Sequence, residues 1–178
     1  MAHITAQIVS ILALCVLFIS YQCKETKKLC IVQGVSSSLF ALSYFLLGAY
    51  TGCILNVINI FRGIFFGFAP KKRQNVLLIM LALMYIAATA VTYSDFFSLL
   101  ILVAQLVGAF SVWLGDGKKL RILQLCVVSP VWLIYNIKVV SIGGIVGESF
   151  SILSVIISFI RFGADGFSEA GEKKKPRK

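Results

Sequence analysis

Residues 76–93, VLLIMLALMYIAATAVTY, form an unbroken apolar run without a charged side chain. A helix needs about 20 such residues to cross the hydrocarbon core of a bilayer. Outward from this run, six further stretches have the same character, which gives seven in all: 3–22, 29–49, 52–69, 76–93, 96–114, 120–138 and 143–162. Strands of a membrane barrel alternate polar and apolar residues, and these runs do not. We therefore predict an all-α membrane protein with seven transmembrane helices.

The composition excludes a soluble domain. Apolar residues make up 59% of the 178 residues and charged residues 13%, against roughly 45–50% and 25% in soluble domains. The five cysteines show no C-x-x-C spacing, and no cofactor or metal motif occurs. The only histidine is His3, and no catalytic motif of a hydrolase, metalloprotease or nucleotide-binding enzyme is present. The sequence predicts that the protein is not an enzyme and uses no cofactor.

The net charge of +10 does not indicate a nucleic-acid partner, because the basic residues are confined to a few segments. Most lie in the first, third and fifth connections and at the C-terminal end. These residues are Lys24, Lys27, Lys28, Lys71, Lys72, Arg73, Lys118, Lys119, Arg121, Arg161, Lys173, Lys174, Lys175, Arg177 and Lys178. Basic residues keep short loops in the cytoplasm. The pattern predicts an outside N-terminus and a cytoplasmic C-terminus, with residues 163–178 as a disordered basic tail.

Two short matches indicate an internal repeat. The pattern AQxV occurs at Ala6 and again at Ala104, and ILxVI occurs at Ile54 and again at Ile152, both at an offset of 98 residues. We predict two parallel three-helix repeats, 3–69 and 96–162, joined by a linker helix at 76–93. This is the 3+1+3 design of some transporters. Chance is the alternative, because apolar segments use few residue types.

Polar residues inside apolar spans usually face the interior of a helix bundle. Asn56, Asn59 and Arg62 are spaced by three in the third span, and Glu148 lies in the seventh. Arg62 and Glu148 are interpreted either as a structural ion pair or as part of a solute site or gate. Small residues also form a stripe along one face of the seventh span, and we interpret this stripe as a surface for close packing against a neighbouring helix. Its members are Gly144, Gly147, Ser151, Ser154 and Ser158.

Trp132 and Asn136 lie four residues apart in the sixth span, just after Pro130. A Trp ring can stack on a planar or sugar-like solute, and a neighbouring amide can hydrogen-bond it. The alternative for Trp132 is an aromatic residue at the membrane interface.

Several of these segments resemble the YgjV family of bacterial inner-membrane proteins. The segments that carry the resemblance are Phe45–Tyr50, Ile54–Asn56, Arg62, Trp132, Asn136, Ser141–Gly144, Glu148 and Ile160–Phe162. The layout of the YgjV family is similar to that of a wider group that contains SWEET sugar facilitators, PnuC transporters, PQ-loop proteins and KDEL receptors. The resemblance implies an inner-membrane location. In SWEET-like proteins the third helix of each repeat lines the solute site, which implies Asn56 and Ser154 as the matching pair.

These observations favour a facilitator of a small polar solute, acting in the lipid bilayer as a monomer or homo-oligomer. Asn56, Asn59, Asn136 and Ser154 would bind the solute, and Trp132 would stack on it. Arg62 and Glu148 would form a charge pair or gate. The alternative is a membrane receptor or interaction protein on the same fold, without transport. A membrane enzyme is disfavoured because no catalytic constellation is present.

Overall fold

The computed structural model describes residues 2–21, 26–68, 70, 73–114 and 117–162. Seven helices account for nearly all of them, as the apolar stretches predict. The helices are Ala2–Tyr21, Thr26–Leu46, Tyr50–Phe68, Gln74–Thr92, Phe96–Leu114, a sixth in three joined parts (Gly117–Leu123, a π-helical turn Gln124–Val128, and Ser129–Lys138), and Ile142–Phe162. The predicted basic tail, 163–178, lies outside the described residues.

Within the described part, three helical stretches are long and apolar enough to cross a membrane: Gln74–Thr92, Phe96–Leu114 and Lys119–Lys138. Four shorter apolar stretches, His3–Ile19, Ile31–Leu46, Tyr50–Phe65 and Ile142–Ile157, belong to the other four helices. Those helices run for 20, 21, 19 and 21 residues. All seven carry large apolar side chains on their exposed faces, as expected of helices solvated by lipid.

Six helices form a closed ring. Around it, the first helix contacts the second, and the second the third, followed by the fifth, sixth and seventh, which returns to the first. The fourth helix packs outside, against the third and fifth. Small residues allow the close approach of the first two helices: the Ser36 hydroxyl donates to the Ala13 carbonyl at 2.8 Å, and Ser43 to the Ala6 carbonyl at 2.9 Å.

Consecutive helices run in opposite directions, so the connections alternate between the two ends of the bundle. We call the end with the first, third and fifth connections the basic end, because these connections carry the clustered Lys and Arg residues. The other end holds the second, fourth and sixth connections and the start of the first helix.

The second and sixth connections are built alike. The amide of Ala49 donates to the Tyr44 carbonyl at 2.9 Å, and Gly48 adopts a left-handed φ of 72°. In the same way, Ser141 donates to the Asn136 carbonyl at 2.9 Å around Val140, whose φ is 55°. Both are Schellman turns, which usually place glycine at the left-handed position. Their equivalent positions are 92 residues apart, not 98.

A valine at the left-handed position is strained, because its branched side chain crowds the backbone there. The Gln7 side chain braces this turn from the first helix. Its amide nitrogen donates to the Val140 carbonyl, and its oxygen accepts from the Ile142 amide at 2.9 Å. Gln7 therefore ties the start of the first helix to the start of the seventh.

Asp95 links the fourth connection to the end of the sixth helix. Its carboxylate accepts from the Ser98 amide at 3.2 Å, as an N-cap does, and forms an ion pair with Lys138. We expect Asp95→Ala to lower the free energy of unfolding in detergent by about 1–2 kcal/mol, mostly through the lost cap. Asp95→Asn keeps a capping oxygen and should cost less than about 1 kcal/mol. Equal losses for the two variants in chemical denaturation would show that the cap contributes nothing.

Candidate functional site

The ring of six helices encloses a polar cavity of about 240 Å³. Every ring helix contributes to the wall, and no described residue of the fourth helix does. The polar wall residues are Ser36, Ser37, Asn56, Asn59, Arg62, Gln105, Ser111, Gln124, Asn136, Glu148 and Ser151. A cavity of this size and polarity fits a small polar solute.

Most of the residues singled out from the sequence meet at this cavity. Asn56, Asn59, Trp132 and Asn136 line it, together with Arg62 and Glu148. Ser154 is exposed and is not among the residues that line the cavity; it lies about one turn beyond Ser151, toward the basic end. The contact of Ser154 with a solute stays a prediction.

The cavity is closed at one end by a layer of aromatic rings. Tyr44, Trp132 and Tyr135 pack with ring centroids 5.8–6.1 Å apart. The Tyr44 hydroxyl donates to the Asn136 side-chain oxygen at 2.6 Å, and the Tyr135 hydroxyl accepts from the Gly52 amide at 3.1 Å. Trp132 is buried inside the ring, not at its outer surface, so its position does not fit the interface alternative.

From this layer the cavity extends toward the basic end. Its lining there includes Leu17 near the end of the first helix, Val112 near the end of the fifth, and Leu120 near the start of the sixth. The lining contains no described residue from the second, fourth or sixth connection. The cavity is therefore asymmetric, with a closed aromatic floor and a polar wall that leads to the basic end.

Arg62 is anchored by neutral groups. Its guanidinium lies close to the Tyr85 hydroxyl, which donates to the Asn59 side-chain oxygen at 2.8 Å. One guanidinium nitrogen also lies 3.3 Å from the position that a Cβ would occupy at Gly108. The guanidinium therefore packs closely against the fifth helix at Gly108, and a side chain there would displace it. None of these contacts neutralises the positive charge.

Glu148 lies on the other side of the cavity, beside the π-helical turn. Its carboxylate lies close to the Ser129 side chain, whose hydroxyl donates to the Ser151 hydroxyl at 3.3 Å. The amide nitrogen of Gln124 donates to Ser129 at 3.0 Å. The second carboxylate oxygen of Glu148, Oε2, is buried without a hydrogen-bond partner. π-Helical turns, such as Gln124–Val128 beside Glu148, often mark functional positions in helices.

Arg62 and Glu148 share the cavity but do not form a direct ion pair: among the described residues, no bond within 4.0 Å joins them. Of the two interpretations from the sequence, a direct structural ion pair does not fit this geometry. A contact through water or a solute, or a gate, remains the hypothesis.

Three features of the site were not predicted from the sequence. Gln105 is 2% exposed and its side-chain nitrogen has no hydrogen-bond partner. It belongs to the repeated AQxV pattern, which could have identified it. Tyr44 and the π-helical turn carry no such signal, because their roles depend on how the second and sixth helices meet.

The fold and the site together define a helical membrane protein with a polar cavity inside a six-helix ring. Comparison with protein families gives the particular family. The chain matches the Imp-YgjV family model, described as bacterial inner membrane protein, over residues 4–165. The chain therefore belongs to the Imp-YgjV family, as its sequence resemblance predicts. Neither the curated proteins nor the solved structures contain a match.

Proposed function

We propose that the protein is a facilitator that moves a small polar solute across the bacterial inner membrane through the ring cavity. The observation that carries the proposal is the polar cavity itself, and two of its lining residues, Gln105 and Glu148, each have a buried side-chain atom without a hydrogen-bond partner. Buried polar groups without partners are rare in native structures, so their presence at a cavity favours a ligand that satisfies them. Helix packing alone requires neither residue.

The proposed mechanism is alternating access between two three-helix repeats. Positions 92 residues apart support the repeat, because they line the cavity in pairs: Ser36 with Val128, Phe40 with Trp132, Tyr44 with Asn136, Asn56 with Glu148, and Asn59 with Ser151. The fourth helix, outside the ring, suits a linker between the repeats. Rocking of one repeat against the other would open the aromatic layer and close the basic end.

Only a few contacts hold the closed end together, which suits a gate. Between the two proposed repeats they include the Tyr44–Asn136, Gly52–Tyr135, Thr51–Ser98 and Gly143–Ser10 hydrogen bonds and the Gln7 brace on the sixth connection. Hydrogen bonds between membrane helices contribute only about 0.6–2 kcal/mol each. A bound solute could therefore offset their loss when the layer opens.

The proposed topology has seven spans, with the N-terminus outside and the C-terminus in the cytoplasm. Reporter fusions after Arg73 and at the C-terminus should both read cytoplasmic, because the basic connections stay on that side. A fusion after Ser94, in the fourth connection, should read periplasmic and serves as the matched control. A periplasmic reading at the C-terminus would contradict the seven-span topology.

Transport is tested with the full-length protein reconstituted into liposomes. A panel of labelled sugars, amino acids, nucleosides and vitamins should contain at least one solute that enters faster than into protein-free liposomes. Specific binding of a solute without any accelerated entry would contradict transport and favour the receptor alternative.

A further inference from the structure

We infer that the cavity is built for a small zwitterionic solute of the α-amino-acid class, with one cationic and one anionic end. This inference rests on the proposed function and narrows it to a substrate class. It follows from how charge, hydrogen-bonding capacity and aromatic surface are distributed over the wall.

Charge gives the first argument. Arg62 and Glu148 are the only charged side chains among the described lining residues, and they have opposite signs. They do not neutralise each other directly, since no ion pair joins them. A solute with a single charge would leave the other of the two side chains without a compensating charge, which is unfavourable. A solute that carries both charges compensates both.

The unpartnered atoms give the second argument. The free side-chain nitrogen of Gln105 can only donate, as can the guanidinium of Arg62. Gln105 lies one turn before Gly108, the residue against which Arg62 packs. Gln105 on the fifth helix and the guanidinium that Arg62 extends from the third helix to Gly108 form a subsite for a carboxylate, which accepts charge-assisted hydrogen bonds.

The opposite wall has the complementary character. The free oxygen of Glu148 can only accept when the carboxylate is ionised, so it suits an ammonium group. Tyr44 and Trp132, whose ring centroids are 6.0 Å apart, form the aromatic floor of the same cavity. Aromatic faces attract cations. Glu148 with these rings therefore forms a subsite for an ammonium group.

The two subsites are close enough for one small molecule. Gly108, against which Arg62 packs, also faces Val128, and the next residue, Ser129, contacts Glu148. Consecutive Cα atoms are about 3.8 Å apart. One small zwitterion can therefore contact both the carboxylate subsite and the ammonium subsite. The cavity volume of 240 Å³ also accommodates a small side chain of the amino acid.

The inference is tested by thermal shift on the purified full-length protein with the common α-amino acids. At least one should raise the unfolding temperature, because it binds only the folded state. Its decarboxylated amine and its deaminated acid should each bind about 100-fold more weakly, since each leaves one buried charge unpaired. This comparison uses the wild-type protein and needs no variant.

Variants then assign the two ends. Arg62→Gln should weaken binding of the amino acid by about tenfold or more and leave binding of the amine unchanged, because only the carboxylate loses its partner. Glu148→Gln should weaken binding of the amino acid and leave binding of the deaminated acid unchanged. Arg73→Gln, which removes a positive charge outside the cavity, should change neither.

The outcomes separate this inference from the proposed function. If sugars or nucleosides bind and enter liposomes while every amino acid fails, the substrate class is wrong and transport stands. Equal binding of an amino acid and its amine would also overturn the inference, because Arg62 would then recognise nothing. If no solute of any class binds or enters liposomes, both proposals are overturned.

Discussion

Gly143→Ala is expected to destabilise the protein by about 3 kcal/mol, at the upper end of the usual cost of overpacking. A Cβ at this position would lie 2.3 Å from the Ser10 carbonyl oxygen and 2.4 Å from its carbon. These are backbone atoms of the first helix and cannot move aside as a flexible side chain could. The Gly143 amide also donates to the Ser10 hydroxyl at 3.1 Å, so separating the helices costs this bond as well.

The matched control is Gly63→Ala, since nothing lies within 4 Å of a Cβ built there. This change should be neutral or stabilise the third helix by up to about 1 kcal/mol, the usual preference for alanine over glycine in helices. Unfolding in detergent measures both variants. Similar stabilities for the two variants would show that the first and seventh helices do not pack as closely as described.

Gly108→Leu should abolish transport while the protein remains folded. The new side chain would point between Arg62 and Val128, both of which line the cavity. It would fill part of the 240 Å³ and displace the guanidinium, which is the flexible end of a long side chain. Solute entry into liposomes should therefore fall to the rate of protein-free liposomes.

Gly63→Leu is the control, because it adds the same side chain to the third helix where no atom lies nearby. It should retain solute entry close to the wild-type rate. The unfolding temperature of each variant verifies that the protein is folded. Undiminished transport by a folded Gly108→Leu variant would show that the solute does not pass through this cavity.

The sequence was sufficient to predict the seven helices. A membrane-spanning helix is predicted by the length of an apolar run and by the absence of charged residues in it. Both are local properties of runs such as residues 76–93. The spacing of Asn56, Asn59 and Arg62 predicted one polar face, and all three line the cavity. A local pattern of this kind needs no knowledge of neighbouring helices.

The pairing of positions between the two halves could not be predicted in this way. Ala6 and Ala104, 98 residues apart, are both fully buried, as a repeat at that offset requires. After the first helix, however, the proposed repeat pairs positions 92 residues apart, as in the two Schellman turns. In that proposal Asn56 corresponds to Glu148 and not to Ser154. The chain would then have six more residues between the first and second helices than between the fifth and sixth, which a search at one fixed offset cannot detect.

The relation between Arg62 and Glu148 also depends on the bundle. Because Arg62 and Glu148 have opposite charges at similar depths in the membrane, the sequence predicts that they approach each other. The actual distance between them depends on the positions of the third and seventh helices in the ring. The third and seventh helices are separated by the cavity, so the charges face each other across it instead of forming a direct bond. This arrangement makes a bridging solute the natural partner of both.

Access to the cavity from the two sides of the membrane tests the central claim most directly. Ser37 lines the cavity, and its neighbour Ser38 is exposed on the outer face of the same helix. In a background without the native cysteines, Ser37→Cys should react with a membrane-impermeant thiol reagent in right-side-out and in inverted vesicles. The transported solute should slow both reactions.

Ser38→Cys should react from neither side, because its thiol would face lipid that the reagent cannot enter. Reaction of Ser37→Cys from both sides, with protection by solute, is the result that alternating access predicts. Reaction from one side only would contradict transport through the cavity and would leave a one-sided binding protein.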